Sequence, residues 1–349
     1  MDIEKLFAKI FEKYNFVEIS DIILTESLIY IMINQDLQKI FFQNYNFIEI
    51  IRDIFEKSTI YKKYGLTAFD ENELKAKIAK TSSINATFSI KLKNLRFRIH
   101  IFLSRGHIVC ILRLIHFPDK DFRTLGFNMK YIEPIIEKRH GLILISGPTG
   151  AGKSTTAAAL IEHYCNNFKW HIVTVEDPIE YLFENNSSIV SQREIGLDTP
   201  NYTDALVDVL RERPNAIFVG EIVSREVAEL ALQAATAGQL VVSTIHAASV
   251  IETMERFVNL YEMDFVNNIR LKLAYSLVAI ISQRLVKVKM GESIKLKLLY
   301  EVLLNDNQAM ALIASPNQRF TLLYDILKRQ RVKLITEQLD ELIAEDRIS

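Results

Sequence analysis

The sequence predicts an α/β protein in which a doubly wound, mostly parallel sheet follows a smaller α+β region. Two observations support this prediction. Beyond residue 121, short apolar runs alternate with helical segments, which is typical of a parallel sheet covered by helices. Before residue 117, some apolar residues recur at helical spacing and others alternate strictly, which indicates helices packed against an antiparallel sheet.

The first 117 residues contain one clear helical stripe and three predicted strands. Apolar residues recur every three to four positions from Ile3 to Phe11, as on one face of a helix. Strict alternation over residues 86–92 and 95–101 predicts two strands joined at residues 93–94. A third strand is predicted over residues 108–114.

A polar stretch that begins with proline, residues 118–121, is the best linker candidate. We therefore predict a first domain over residues 1–117, a linker over 118–121 and a second domain over 122–349. Buried parallel strands in the second domain are predicted at residues 142–145, 172–175, 216–219 and 240–244. From about Ser249 the chain is predicted to be mostly helical, with a stripe at Val266, Ile269, Leu273 and Leu277.

Composition limits the classes of function. The 349 residues carry 42 Lys and Arg against 43 Asp and Glu, so bulk charge gives no reason to expect a nucleic-acid partner. The two cysteines, Cys110 and Cys165, suffice for neither a disulfide framework nor a structural zinc site. The N-terminus lacks a signal-peptide pattern, and the apolar runs are too short to span a bilayer. We expect a cytoplasmic protein that meets a membrane only through partners.

A phosphate-binding loop is the strongest motif in the sequence. Residues 147–154 match the G-x-x-x-x-G-K-S spacing between a predicted strand and a predicted helix. Glycines let the backbone wrap around phosphates beside a helix N-terminus, Lys153 would meet the β- and γ-phosphates, and Ser154 would bind Mg²⁺. The predicted ATP-binding residues are Gly147, Pro148, Thr149, Gly150, Ala151, Gly152, Lys153, Ser154 and Thr155.

Acidic and polar residues end three later strands. Glu176 ends the second predicted strand, Glu221 follows the third, and His246 follows the fourth. Each alone is more often a cap or a surface residue, but the carboxyl ends of parallel strands face one ligand-binding crevice. A carboxylate delivered by an apolar strand beside a phosphate-binding loop is the arrangement that holds Mg²⁺. Glu176, Glu221 and His246 are therefore candidate site residues.

These motifs together resemble the secretion/pilus ATPase superfamily, and within it the PilT-type (type IV pilus retraction) ATPases. The resemblance covers roughly residues 20–304, and its segments are residues 146–156, 175–181, 192–196, 210–212, 217–221, 237–246 and 280–285. It implies a homo-hexameric motor for pilus retraction (twitching motility), with a PAS-like first domain, a RecA-like ATPase domain and ATP between them. It also implies an inner-membrane platform protein as partner and a place at the inner face of the cell membrane.

The resemblance also implies residue roles. Glu176 would orient the attacking water, Glu221 would lie with Ser154 on the Mg²⁺ side, and His246 would sense the γ-phosphate. Cations from the first domain would close over the nucleotide; the matching candidates are Arg96, Arg98 and Arg113, with Arg105 less clear. The alternative for Arg96 and Arg98 is a pair of exposed strand residues. Arg193 and Arg211 could close the site or bind a neighbouring subunit.

Several positions depart from the family pattern. Ser224 and Gln239 replace an expected aspartate and histidine, Ala247 replaces a threonine, and residues 309–315 lack two arginines of the retraction-type signature. An assembly-type motor (PilB/GspE-like) therefore stays an alternative, as does an accessory subunit that hydrolyses ATP weakly. A RecA-like nucleic-acid motor is disfavoured by the neutral charge.

Overall fold

The computed structural model describes residues 2–33, 36–42, 45–90, 92, 95–115, 121–291 and 293–348. The chain divides into two compact units, the first comprising Met1–Phe117 with Pro178–Leu182 and Gly196–Asp198. The second comprises Pro118–Asp177, Phe183–Ile195 and Thr199–Ser349. The predicted turn at residues 93–94 and residues 118–120 of the predicted linker lie outside the described residues, so the linker stays a prediction.

The first unit is an α+β fold built on a six-stranded antiparallel sheet. Its strands are β1 Ile19–Leu24, β2 Ile29–Ile33, β3 Asp36–Ile40, β4 Ser83–Ile90, β5 Leu95–Ser104 and β6 His107–Ile115. Its helices are α1 Ile3–Lys13, α2 Phe47–Lys57, α3 Ile60–Tyr64 and α4 Glu71–Thr81. The strand order is β3-β2-β1-β6-β5-β4.

The predicted stripe and the three predicted strands of this unit are present. In α1, Asp2 caps the N-terminus by accepting from the Lys5 N–H, and the apolar face is buried. Strands β5 and β6 contain the predicted segments 95–101 and 108–114, and β4 contains residues 86–90 of the predicted segment 86–92. The sequence did not reveal β1, β2 and β3, because β1 carries polar residues and β3 is exposed along almost its whole length.

The second unit contains a seven-stranded, mostly parallel sheet. Its strands are β7 Gly141–Ser146, β8 His171–Glu176, β9 Ile189–Glu194, β10 Ala216–Val219, β11 Leu240–Ile245, β12 Leu277–Met290 and β13 Ser293–Leu304. The order is β13-β12-β7-β11-β10-β8-β9, and only β13 pairs antiparallel among these described strands. Its helices are α5 Met129–Ile136, α6 Lys153–Asn167, α7 Tyr202–Glu212, α8 Arg225–Thr236, α9 Val250–Val258, α10 Val266–Ser276, α11 Asn307–Ala314, α12 Leu323–Arg329 and α13 Ile335–Ala344.

Helices cover both faces of this sheet, as the doubly wound prediction requires. Leu142 and Leu144 of β7 belong to one core, which also contains residues of α7, α8 and α9. Ile143 and Ile145 belong to the opposite core, with residues of α5 and α6. Because successive residues of β7 are buried on opposite faces, the strand is a continuous apolar run in the sequence.

The prediction of a mostly helical C-terminal third was wrong for residues 277–304. There β12 and β13 form a long hairpin, with Ala279 opposite Leu304 at one end and Met290 opposite Ser293 at the other. Leu277 opens β12, so the helical stripe stops at α10, which ends at Ser276. The apolar beginning of β12 continues the spacing of α10, and this coincidence concealed the helix end.

Candidate nucleotide-binding site

The carboxyl ends of four adjacent strands bring the predicted site residues of the second unit to one edge of the sheet. The strands β7, β11, β10 and β8 are neighbours in that order and run parallel. They end, respectively, in the phosphate-binding loop, in the turn to His246, in Gly220 and Glu221, and in Glu176. The fold therefore places in one row the groups that the sequence distributes over 100 positions of the chain.

Glycines shape the phosphate-binding loop. A Cβ at Gly147 would lie 2.4 Å from the carbonyl oxygen of Gln283, so no other residue fits there without displacing the backbone of β12. Gly150 and Gly152 adopt φ angles of 77° and 83°, which L-residues rarely take. The helix α6 then begins at Lys153, and its first turn contains Ser154 and Thr155. The first N–H groups of a helix and its positive end favour a bound anion.

Lys153, His246 and Glu221 form a continuous polar chain. The Lys153 ammonium donates to the carbonyl oxygens of Gly147 (2.8 Å) and Pro148 (3.1 Å), and lies 3.4 Å from His246 Nδ1. His246 Nε2 lies 3.1 Å from Glu221 Oε1. One neutral tautomer satisfies both contacts, since Nε2–H donates to the carboxylate while Nδ1 accepts from the lysine. The imidazole is thus in contact with both the phosphate-binding lysine and the candidate magnesium-side carboxylate.

Glu176 is buried and held in place by its neighbours. The Thr174 hydroxyl donates to Glu176 Oε1 over 2.7 Å, and Gln192 Nε2 lies 3.4 Å from the same oxygen. The side chain is 6% exposed. These contacts fix the Glu176 carboxylate at the carboxyl end of β8.

Gln283 is a supporting residue that the sequence reasoning did not select. Its carboxamide accepts from the Thr156 hydroxyl over 2.8 Å and donates to the Ala151 carbonyl over 2.7 Å. It thereby joins β12 to both the phosphate-binding loop and α6. A signal was available, because Gln283 lies in the recognised segment 280–285 and is a polar residue just after the apolar run 277–281 of β12.

The candidate arginines Arg96, Arg98 and Arg113 belong to the first unit, and each contacts polar groups of that unit. Arg96 is buried, and its guanidinium donates to the Ile179 carbonyl from Nε (3.3 Å) and Nη2 (3.0 Å). It also donates to the hydroxyls of Thr87 and Ser89. Arg96 is therefore not the exposed strand residue that the alternative interpretation expects.

The other two arginines of this group are more exposed. Arg98 Nη1 lies 4.0 Å from Glu180 Oε1, which is a loose pairing. Arg113 Nε donates to Asp21 Oδ1 over 2.9 Å. Arg105 lies in the turn between β5 and β6, where Arg105 and Gly106 both have positive φ.

Two further arginines of the second unit are paired. Arg193 pairs with Glu212, and Arg211 lies 3.3 Å from Asp208. The substituted position Ser224 caps α8 by accepting from the Val227 N–H.

The oxygen donors present suit a magnesium ion that is shared with a nucleotide. Among the described residues, no group of three or more His, Cys, Asp and Glu side chains is placed to hold a metal ion. Mg²⁺ commonly uses one or two protein ligands and completes its shell with water and substrate phosphates. The Ser154 hydroxyl and the Glu221 carboxylate fit that limited role.

No helix within the described residues has both the length and the apolar character that a membrane crossing requires.

Comparisons with known proteins agree with this fold. PilT of Pseudomonas aeruginosa, named a type IV pilus retractation ATPase, is 39% identical over 193 residues, 55% of this chain and 56% of that protein. A twitching motility protein of Neisseria gonorrhoeae is 36% identical over 220 residues, 60% of this chain and 56% of that protein. The chain thus spans little more than half the length of these curated relatives.

A solved structure matches along the whole chain. The crystal structure of the pilus retraction motor PilT with bound ADP has a TM-score of 0.81 and 30% identity, covering 100% of this chain and 95% of that one. The predicted α/β fold is confirmed, and so is the predicted likeness to PilT-type ATPases. The profile of the family described as Type II/IV secretion system protein matches residues 20–345. Because that match covers nearly all of the sequence, the chain belongs to the Type II/IV secretion system protein family.

Proposed function

We propose that this protein is an ATP-hydrolysing motor that powers type IV pilus retraction, and with it twitching motility. The observation that carries the proposal is the row of strand ends at which the phosphate-binding loop, His246, Glu221 and Glu176 follow one another. The names of the relatives, a pilus retraction ATPase and a twitching motility protein, support retraction over assembly.

The residues of the second unit divide the chemistry among themselves. Residues 147–155 bind the phosphates, with the Lys153 ammonium exchanging its contacts to loop carbonyls for phosphate oxygens. Ser154 and Glu221 hold Mg²⁺, which neutralises charge on the phosphates when it is bound. Glu176 orients the attacking water. His246 senses the γ-phosphate, because it contacts both Lys153 and Glu221 and any change at either group reaches its ring.

Arg96, Arg98 and Arg113 are proposed to supply further positive charge to the transferring phosphoryl group. In keeping with the resemblance, we propose a homo-hexamer whose partner is the pilus platform protein of the inner membrane. The motor would then work in the cytoplasm at the inner face of the cell membrane, through that partner and without inserting into the bilayer.

A turnover assay of the purified full-length protein tests the proposal. We expect Mg²⁺-dependent release of phosphate from ATP, and we expect Lys153→Ala to abolish it by removing the ammonium from the phosphate-binding loop. Lys333→Ala, which changes an exposed lysine paired with Glu341, is a control for the loss of one positive charge. Wild-type protein without turnover, or Lys153→Ala with wild-type turnover, would contradict the proposal. Mass measurement in solution with a non-hydrolysable nucleotide tests the hexamer.

A further inference from the structure

A tyrosine that no motif includes reaches the same strand ends. Tyr202 is the first residue of α7, and its ring packs against the core beneath the sheet. Its phenol oxygen accepts a hydrogen bond from the backbone N–H of Asp177, the residue that follows Glu176. The oxygen also lies beside Gly220, the residue that precedes Glu221.

The glycine makes room for this phenol. A Cβ at Gly220 would lie 3.0 Å from the Tyr202 hydroxyl oxygen and 3.3 Å from the Glu176 Cα. It would also lie 3.2 Å from the carbonyl oxygen of Val175, to which the Gly220 N–H donates over 2.8 Å. The end of β8, the end of β10 and the phenol therefore meet so closely that a Cβ at Gly220 would push its neighbours apart by a few tenths of an ångström.

The surroundings make this hydroxyl a hydrogen-bond donor. Burial raises the pKa of Tyr202, and the charges of Asp177, Glu176 and Glu221 raise it further, so the phenol is neutral at physiological pH. Since the Asp177 N–H occupies a lone pair of the oxygen, the O–H is left to donate. The carboxylates of Asp177, Glu176 and Glu221 lie close enough to act on the phenol electrostatically, and they are the acceptors that we expect the O–H to meet.

We propose that Tyr202 is a positioning residue for the ATP hydrolysis proposed above. Its hydroxyl braces the end of β8 against the end of β10 and so fixes Glu176 relative to Glu221. This inference rests on the proposed function, since it assigns work to the same two carboxylates. The competing explanation is that Tyr202 only anchors α7 in the core, and for that purpose the ring suffices without the oxygen.

Tyr202→Phe separates these explanations, because it keeps the ring and removes the hydroxyl. We expect kcat for ATP to fall roughly 10- to 100-fold, the loss typical of one hydrogen bond to a charged or reacting group. KM for ATP and the affinity for a fluorescent ADP analogue should stay within about twofold of wild type, as for an interaction that matters only in the chemical step. Tyr164→Phe is the matched control, since this buried phenol of the same unit donates to the Ile135 carbonyl, outside the row of strand ends.

The outcomes are distinguishable. A drop in kcat confined to Tyr202→Phe, with an unchanged melting temperature, supports the inference. Wild-type turnover together with a kcat of Tyr202→Phe within about twofold of wild type overturns it and leaves the proposed function intact. An equal loss of kcat in Tyr164→Phe, or a parallel loss of nucleotide affinity in Tyr202→Phe, overturns it as well. Wild-type protein without turnover overturns the proposed function and this inference together.

Discussion

Gln283 offers a direct test of how the phosphate-binding loop is held. The residue is 1% exposed and makes one hydrogen bond to the loop, at the Ala151 carbonyl, and one to α6, at the Thr156 hydroxyl. Gln283→Leu keeps a similarly sized side chain that can neither donate nor accept a hydrogen bond. Both partners would then lie in a buried place without the group that satisfies them.

The expected magnitude follows from these two contacts. A neutral hydrogen bond contributes about 0.5–1.5 kcal/mol net, and a buried group left without a partner costs about 1–3 kcal/mol. Losing both contacts of Gln283 should therefore destabilise the binding conformation of the loop by roughly 2–4 kcal/mol. If about 2 kcal/mol of this is needed to restore the loop when nucleotide binds, affinity falls roughly 30-fold.

Titration with a fluorescent ADP analogue measures this effect, and a matched variant controls for lost stability. Gln330 also makes hydrogen bonds with its carboxamide, accepting from the Leu304 N–H and donating to the Leu304 carbonyl and the Asp306 carboxylate. Gln330→Leu should lower the melting temperature while leaving ADP affinity unchanged, because Gln330 contacts α12 and the end of β13 and not the loop. The reasoning about Gln283 is refuted if ADP affinity is unchanged in Gln283→Leu, or if both variants lose it equally.

Two further variants test the site and its support. Glu176→Gln keeps an oxygen that can accept from the Thr174 hydroxyl but removes the negative charge. We expect kcat to fall by about 10²–10⁴-fold while ADP affinity stays unchanged. Turnover near the wild-type rate would remove Glu176 from the mechanism. Glu301 is buried on β13 and accepts from the N–H groups of Val250 and Ile335, at the N-termini of α9 and α13; burial raises its pKa despite these two bonds. Because the pKa of Glu301 is higher in the folded than in the unfolded protein, this carboxyl group adds to the free energy of unfolding at low pH. That contribution is lost as the pH rises from the ordinary pKa of 4.5 through the raised pKa of the folded state. Between pH 4 and pH 8, the free energy of unfolding measured with urea should therefore fall with rising pH in the wild type relative to Glu301→Gln. The same pH dependence in both proteins would contradict the raised pKa of Glu301.

The parts of the fold that the sequence predicted are those with a strong local pattern. Every predicted parallel strand lies inside an observed one, because a strand buried on both faces must be apolar at each position, as in β7. The phosphate-binding loop was equally predictable. Glycine is required at Gly147 because a Cβ would collide with the backbone, and it is favoured at Gly152 because the φ angle there is positive. Few other sequences satisfy such requirements, so the motif can be recognised.

The parts that escaped prediction depend on partners distant in the chain. The hairpin of β12 and β13 was missed because the apolar start of β12 extends the helical spacing of α10 without a break. Gln283 was missed for a related reason, since its partners Ala151 and Thr156 lie more than 120 positions earlier. Tyr202 carries no pattern of its own, and its place beside Gly220 follows only from the parallel pairing of β8 with β10.

The three candidate arginines show most clearly what alternation in a strand leaves undecided. It places Arg96 and Arg98 on one face of β5 but does not say what that face meets. In the first unit, Arg96 is buried and donates to a backbone carbonyl and two hydroxyls, whereas Arg98 and Arg113 keep 39% and 59% of their side chains exposed. To bind a phosphate, Arg96 would have to give up hydrogen bonds from a charged donor, worth about 1.5–3 kcal/mol each. Exposed ion pairs such as those of Arg98 and Arg113 contribute only about 0–1 kcal/mol. The side chains that move at least cost are therefore Arg98 and Arg113, and they are the stronger candidates to close over the nucleotide.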